Sequence, residues 1–577
     1  MNKIILSVLV GIISVCSYAQ TSYYVATTGN NSNNGDIASP WQTIQYGVSQ
    51  LSAGDTLNIM AGTYIGKIDL IVSGVLGQEI NIQNYNNDQV IISGSSLPDY
   101  EYLLRIENVN YIKIKGLKFQ DYQKLDAIGI IVINSSNISI LDNEFSNIDY
   151  ASTAVGQTPN ASQNSQPIIV FGRDPLNSIN NLSINGNIIH DCETGFSECL
   201  SINGNVDGFE VKNNIIYNNT NIPIVAIGHE GECADPSLDQ ARNGLIKKNI
   251  IHDNPSAYAA AGGIYIDGGK SITVENNISY NNDYGIEIGC ENNGNAPNNP
   301  SASDIIVRNN LIYNNKISGI ALGGYDYPTS GKVVAASITN NTLFNNDTDN
   351  SYNGELLISY VENSIIENNI FYAKNFDKVL IVSNNQGTGL QLNYNLYYHE
   401  NDESTDIVIE WNGIEYNTFD SFKNATSMDA NSVFVNPLFT SNSVSNPDLH
   451  LANSSPAIDA GNPLFVVGVG EADMDDELRI FNGNVDCGAD EYGASSQIDN
   501  VVKKDVLIYP NPTNAVINVE GISTFSYKIY SLNGKLVMSH NNNQNFIDLT
   551  HQKEGLYLIK IYNKRGEEVS VIKLIRQ

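Results

Sequence analysis

"GGIYIDGGKSITVENNISYNNDYGIEIGCE", Gly262 to Glu291, holds two runs, GIYID and GIEIG, in which apolar and polar side chains alternate, with the phrase VENNISYNN between them. Alternation is the signature of a strand with one buried face, and Asn and Gly clusters between such runs read as turns. The phrase recurs. INGNIIHD, VKNNIIYNN, IKKNIIHDN, VENNISYNN, VRNNLIYNN, ITNNTLFNN and IENNIFYA place their second Asn at Asn187, Asn214, Asn249, Asn277, Asn310, Asn341 and Asn369, at spacings of 27 to 35 residues. No helical period runs through this region. Several four-residue strands per unit, repeated at this spacing, predict a solenoid of parallel strands in which each coil buries its Ile, Val and Leu against its neighbours. Asn at a turn tolerates left-handed backbone angles and stacks into a ladder, so the repeated Asn residues are expected to be structural. A minimal coil needs about 20–25 residues, so the excess is loop. Insertions on one side of a solenoid often form its binding face.

The flanks fit a solenoid that needs closing at both ends. In PWQTIQYGVSQL, Ile44, Val48 and Leu51 share one helical face, which predicts a short amphipathic helix over the first coil. SSPAIDAGNP and DMDDELRIFNGNVDCGADEYG read as an irregular closing segment. The linker ASSQIDNVVKK follows. Beyond it, VLIYPNPTNAVINVEG, YKIYSLNGKLV, GLYLIKIYNKRG and VSVIKLIRQ alternate around Asn-Gly turns and predict a small β-sandwich.

MNKIILSVLVGIISVCSYAQ pairs a lysine with a short apolar run and small residues before Ala19, the pattern of a secretory signal peptide over residues 1–19. No other run is long enough to span a bilayer. Five cysteines follow: Cys192, Cys199, Cys233, Cys290 and Cys487. An exported chain permits disulfides, and Cys233 with Cys290 or Cys192 with Cys199 are both open as pairs. With 62 acidic and 30 basic residues the net charge is −32, which repels a polyanion and argues against nucleic acid as a partner.

The opening YYVATTGNNSNNG…PWQTIQYGVSQLSAGDTLNIMAGTY, the Asn-rich coils and the SPAIDAG…DCGADEYG ending together resemble the right-handed parallel β-helix, or pectin-lyase-like, superfamily over residues 22–493. The YPNP start, GLYLIKI strand and VIKLI end of residues 505–577, beyond a linker at 494–504, resemble the C-terminal sorting domain of the type IX secretion system. The implied architecture is all-β: a right-handed parallel β-helix with an N-terminal helical cap, then a small sandwich. The first resemblance implies a glycan-handling protein, since that superfamily holds polysaccharide lyases, glycoside hydrolases, epimerases, esterases, tailspikes and adhesins. The second implies dealings with the secretion machinery and an extracellular or cell-surface location. A monomer is expected.

Aligning the strands by inward residues stacks Leu200/Ile202, Val225/Ile227, Ile264/Ile266, Ile286/Ile288 and Ile320/Leu322. The outward columns then hold Tyr265 with Glu287 and Ala321, and Asn203 with Gly228, Asp267 and Gly289. Glu230, Gly269, Glu291 and Tyr325 fall beyond the strand ends. Asp267 and Glu287 are thus expected on a solvent-facing surface with α-carbons roughly 8 Å apart, a spacing open to retaining or inverting glycoside hydrolysis. Such chemistry needs one carboxyl kept protonated as acid and one ionised as nucleophile or base. The loop IGHEGECADPSLDQARNG adds His229 and Glu230, while Tyr265, Tyr284, Tyr325 and Tyr327 suit stacking on sugar rings. The expectation is a polysaccharide hydrolase with Asp267 and Glu287 catalytic and His229, Glu230, Glu291, Tyr265 and Tyr325 binding substrate, needing no cofactor. A calcium-dependent lyase is the alternative, its base Lys270 or Arg173 and its calcium held by the same carboxylates. A non-catalytic glycan-binding solenoid is the third.

Overall fold

The computed structural model describes residues 20–494, apart from short stretches at 151–157, 161–162, 292–299, 325–329, 375–378 and 401–407, and most of 507–576. The signal peptide, the linker beyond Ala494, Tyr325 and Tyr327 lie outside the described residues. The chain divides into two compact units, 1–494 and 495–577.

The first unit winds through three parallel sheets in repeating order. One coil illustrates it: Lys270–Glu275 lies in sheet one, Ile278–Tyr280 in sheet two and Tyr284–Gly289 in sheet three. Among the described residues the sheets hold 16, 13 and 13 strands, and each strand pairs with its counterpart one coil away. This is the parallel β-helix expected, wound with the right hand of parallel crossovers. Its core is the alternate apolar face: Ile264, Ile266, Ile286, Ile288 and Ile320 are fully buried.

The paired asparagines divide two tasks. The first of each pair turns the corner in the left-handed region, as at Asn213, Asn276, Asn309, Asn340 and Asn368, with φ of 53–59°. The second points inward, fully or almost fully buried. From Asn143 through Asn187, Asn214, Asn249, Asn277, Asn310, Asn341 and Asn369 to Asn395, each Nδ2 donates to the Oδ1 of the next at 2.9–3.1 Å. Each Nδ2 also donates to a main-chain carbonyl of the preceding coil, so burial leaves no amide hydrogen unpaired. A second ladder runs from Asn219 through Asn254, Asn282 and Asn315 to Asn346 and ends on Glu355.

The helix Ile44–Gln50 caps the first coil, with Thr43 accepting the Tyr46 N–H and Ile44, Val48 and Leu51 buried. Gly47 permits the close approach, because a Cβ there would meet Leu57 and Val25 at 3.0 Å. At the other end an antiparallel pair, Ile409–Trp411 with Ile414–Tyr416, and the helix Phe419–Thr426 break the parallel repeat. The closing segment then runs back across the coils. Arg308 bonds both Glu275 and Glu471, at 2.7 and 2.8 Å, and all three are almost fully buried. The buried Arg479 donates to the carbonyls of Asp486, Gly488 and Ala489.

One expected register is corrected. Ile224 and Ala226, not Val225 and Ile227, lie in the inward stack, paired with Leu200/Ile202 on one side and Ile264/Ile266 on the other. Asn203 therefore pairs with Ile227 rather than Gly228. The run IPIVAIG is apolar at both parities, and the small Ala226 takes the inward place. The candidate disulfides are corrected too: all five cysteines are free and buried, Cys192 and Cys199 both in the same core.

The second unit has two antiparallel sheets. Leu507–Tyr509, Val516–Glu520 and Phe546–Asp548 form one; Phe525–Ser531, Leu536–Asn542, Gly555–Tyr562 and Glu568–Arg576 form the other. Ile517, Val519, Ile529, Ile547, Ile559, Ile561 and Leu574 form its core.

Candidate active site

Sheet three sets the geometry. The strands Gly262–Asp267 and Tyr284–Gly289 pair with Tyr265 opposite Glu287 and Asp267 opposite Gly289. Asp267 and Glu287 are thus on neighbouring coils and two residues apart along the strand, on the same face. The chain folds this way because Ile264/Ile266 and Ile286/Ile288 commit one parity to the core.

That face is not open to solvent at Asp267, as expected from alternation. Asp267 is 6% exposed and Tyr265 5%. The loop between Ile227 and Arg242 folds over the strand end: the Gly228 N–H donates to the Asp267 carbonyl at 2.7 Å, and Gln240 Nε2 donates to the Gly268 carbonyl at 2.6 Å. Asp239 organises the loop by accepting the N–H groups of Gly231 and Cys233, at 2.6 and 2.8 Å. The chain after Gly289 closes from the other side, and the Glu291 N–H donates to Asp267 Oδ1 at 2.6 Å.

Four of the expected carboxylates share this spot: Asp267, Glu287, Glu230 and the exposed Glu291. A fifth, Glu198, comes from the turn two coils before the Asp267 coil. Burial and the negative charge of its neighbours raise each of the half-buried groups. Glu287 is pushed up to about 8, mainly by burial and then by Glu291. Burial pushes Glu230 to about 7, with Glu291 and Asp239 adding to it, and Glu198 to about 7, with Glu291 and Glu230 adding. Asp267 is held well above the usual carboxylate range by burial and by Glu291, against the opposing bond from the Glu291 N–H. The Tyr265 hydroxyl donates to Glu291 Oε1 at 3.3 Å. Supporting hydrogen bonds thus go to Asp267 and Glu291, while burial is the main cause that shifts the other acids toward their neutral forms.

His229 has φ of 71° and is buried against Gly268, with Nδ1 unpaired and burial lowering its pKa. Glu230 Oε1 is also buried without a partner. Gly269 does not join the cluster: its α-carbon faces Ile266 and Ile272 in the core. Lys270 lies in sheet one, exposed on the strand Lys270–Glu275 and opposite Arg242 and Ser303. Arg173 is bound to Glu232 at 2.9 Å and lies over the Phe171 ring. Away from this face, His450, Asp475 and Asp490 bring ligand atoms within 4.8 Å of one another, with His450 paired to Asp448 and Asp475. Glu198 escaped sequence reasoning because ETGFSECL precedes its strand with no repeated signal.

Residues 507–577 match the family described as secretion system C-terminal sorting domain, which marks the protein as secreted or held at the cell surface. Among the described residues no helix is long and apolar enough to cross a membrane. A stretch of 124 residues, 20% of this chain, is 28% identical to "Pectate lyase PEL9" of Emericella nidulans and covers 30% of it. The solved structure of pectate lyase Pel9A superposes with a TM-score of 0.40 at 16% identity, over 82% of this chain and 97% of that one. "Uncharacterized protein YwoF" of Bacillus subtilis (strain 168) is 35% identical over 452 residues, which span 75% of this chain and 91% of that protein. A likeness of that extent, running through the solenoid, makes this chain a member of the YwoF family.

Proposed function

We propose that the protein is a secreted enzyme that degrades a polysaccharide, and that it does so by glycosidic hydrolysis at the carboxylate cluster around Asp267 and Glu287. One observation carries the reading: five carboxyl groups converge on one face, burial and mutual repulsion raise Asp267 and Glu287 alike, and of that pair only Asp267 receives a main-chain N–H. Acids crowded this closely ionise one at a time, and the N–H favours Asp267 as the charged member while Glu287 keeps its proton, the division that acid–base cleavage of a glycosidic bond requires. Glu287 donates its proton to the glycosidic oxygen as the bond to the anomeric carbon breaks. Asp267, with its charge supported by the Glu291 N–H, either attacks that carbon or takes the proton of the attacking water. Tyr265 and Glu291 orient the site, and the exposed Glu291 supplies negative charge that favours the positive charge developing on the sugar ring. The partial similarity to a pectate lyase supports a polysaccharide as the substrate class.

A calcium-dependent lyase is the second reading. The unpaired, buried Glu230 Oε1 and the crowded carboxylates suit a hard cation, which Glu230, Asp267 and Glu291 would hold; when bound it would acidify the proton beside a uronate carboxylate. Against it, Lys270 lies on another sheet and Arg173 is engaged by Glu232.

The test is a digest of a polysaccharide panel by the purified protein, reading both new reducing ends and the ultraviolet absorbance of unsaturated uronates, with and without chelator. Reducing ends without absorbance, insensitive to chelator and lost in Asp267→Asn and Glu287→Gln, are the expected result. Absorbance abolished by chelator would replace hydrolysis with elimination. No cleavage of any glycan would leave a binding protein.

A further inference from the structure

The last position of the recurring phrase, Tyr, His or Phe, has no part in the asparagine ladders or the carboxylate cluster. On sheet two these residues point outward and stack: His190, Tyr217, His252, Tyr280 and Tyr313 lie with centroids 4.8–5.3 Å apart and planes within 6°. At the upper end, Tyr280 and Tyr313 form one wall of a cleft of about 440 Å³. The opposite wall is the segment Val444–Pro447, held in place by Asn314 Nδ2 donating to the Val444 carbonyl at 2.7 Å.

Packing alone accounts for the stacked rings but not for their hydroxyls. Some tyrosines of this unit bond their hydroxyls within the protein: Tyr122 donates to the Pro98 carbonyl, Tyr258 to that of Gly195, and Tyr372 accepts from Asn442. Among the described residues the hydroxyls of Tyr280 and Tyr313 have no such partner. Both rings line the cleft, so hydroxyls not engaged within the protein are available to a ligand there. The other lining groups are Asn281, Thr348, Ser445 and Asn446, all uncharged hydrogen-bonding side chains. No cation lines the cleft, and Asn281 bonds Asp253 at 2.9 Å, so an anionic ligand meets repulsion with nothing to offset it.

We infer that this cleft is a second, non-catalytic carbohydrate site that holds a neutral, hydroxyl-rich glycan chain along the aromatic ladder. The hydroxyls of Tyr280 and Tyr313 and the Asn and Ser of the facing segment bond the sugar hydroxyls, and ring edges cover its apolar patches. His252, Tyr217 and His190 continue the track along the solenoid axis. The site is on sheet two, whereas the carboxylates are on sheet three, and it stands whether or not the hydrolase reading holds.

The test is affinity gel electrophoresis of the full-length protein through galactomannan, xyloglucan and mixed-linkage glucan, with polygalacturonate and alginate as acidic counterparts. Retardation by at least one neutral polymer is expected. Tyr280→Phe/Tyr313→Phe, which keeps the rings and removes the hydroxyls, should weaken it about five- to tenfold, two hydrogen bonds' worth. Ser445→Trp, which fills the cleft from the opposite wall, should abolish it. Any cleavage of short soluble oligosaccharides should be unchanged in both variants. Failure of every neutral polymer to retard the protein would overturn the inference, as would retardation that survives both variants. Parallel loss of binding and cleavage would assign the rings to the catalytic site instead, and preference for the acidic polymers would refute the neutral class.

Discussion

Glu287→Gln should stabilise the protein, and by an amount that grows with pH. The side chain ionises near 4.5 in an unfolded chain and near 8 in the fold. Folding therefore holds its proton more tightly, and the stability this contributes is complete below about pH 4.5 and is lost as pH rises toward 8. At roughly 1.4 kcal/mol for each pH unit between those limits, the loss is about 3 kcal/mol at pH 7 and about 1 kcal/mol at pH 5. Glutamine copies the neutral acid's shape and cannot ionise, so it escapes the loss. A unit of this size changes by about 1 kcal/mol per degree at its midpoint, so the solenoid transition in scanning calorimetry should rise by about 3 °C at pH 7 and by about 1 °C at pH 5. Equal shifts at both pH values would show that the carboxyl is not held neutral by burial. Destabilisation at pH 7 that chelator abolishes would mean a bound cation already neutralises the cluster, and the role given to Glu287 would fail.

Three further outcomes follow from the same geometry. The kcat/KM of hydrolysis should fall above about pH 8 as Glu287 loses its proton; a profile flat from pH 6 to 10 would exclude Glu287 as the acid. Asn277→Ala removes the acceptor of the Asn249 N–H groups and the donor to Ile246 and Asn310, and should cost about 3 kcal/mol or more, read as a lower calorimetric midpoint. Arg308→Ala leaves the buried Glu471 without its cation and Glu275 with Lys247 alone, and should cost about 3–5 kcal/mol. Glu471→Gln in that background should recover part of the loss, and limited proteolysis should first cut the closing segment.

The solenoid was legible because its signal repeats. Seven copies of one phrase locate the turns, and the alternation around Ile264 and Ile286 assigns the parity of those strands. Where alternation fails, so does the reading: Ile224 to Ile227 is apolar at every position, and only the volume available inside chooses Ala226 over Ile227. Asp267 and Glu287 were correctly placed on one face. Their burial was hidden, because it depends on the fold of the loop from Ile227 to Arg242 and on the Glu291 N–H, neither of which belongs to the repeat. Glu198 lies outside any strand, and its place in the cluster follows from three-dimensional winding alone.

The helix Ile44–Gln50 has a consequence beyond covering apolar side chains. A parallel solenoid shows the same set of strand edges at every cross-section, so a coil bared at one end is complementary to a coil bared at the other. Stripped of this helix and of the segment after Tyr416, the molecule would be a monomer unit for head-to-tail growth, with three sheets propagating at once. The twelve three-stranded coils among the described residues remain a finite β-helix because a seven-residue helix at one end, and an antiparallel pair and an eight-residue helix at the other, act as chain terminators.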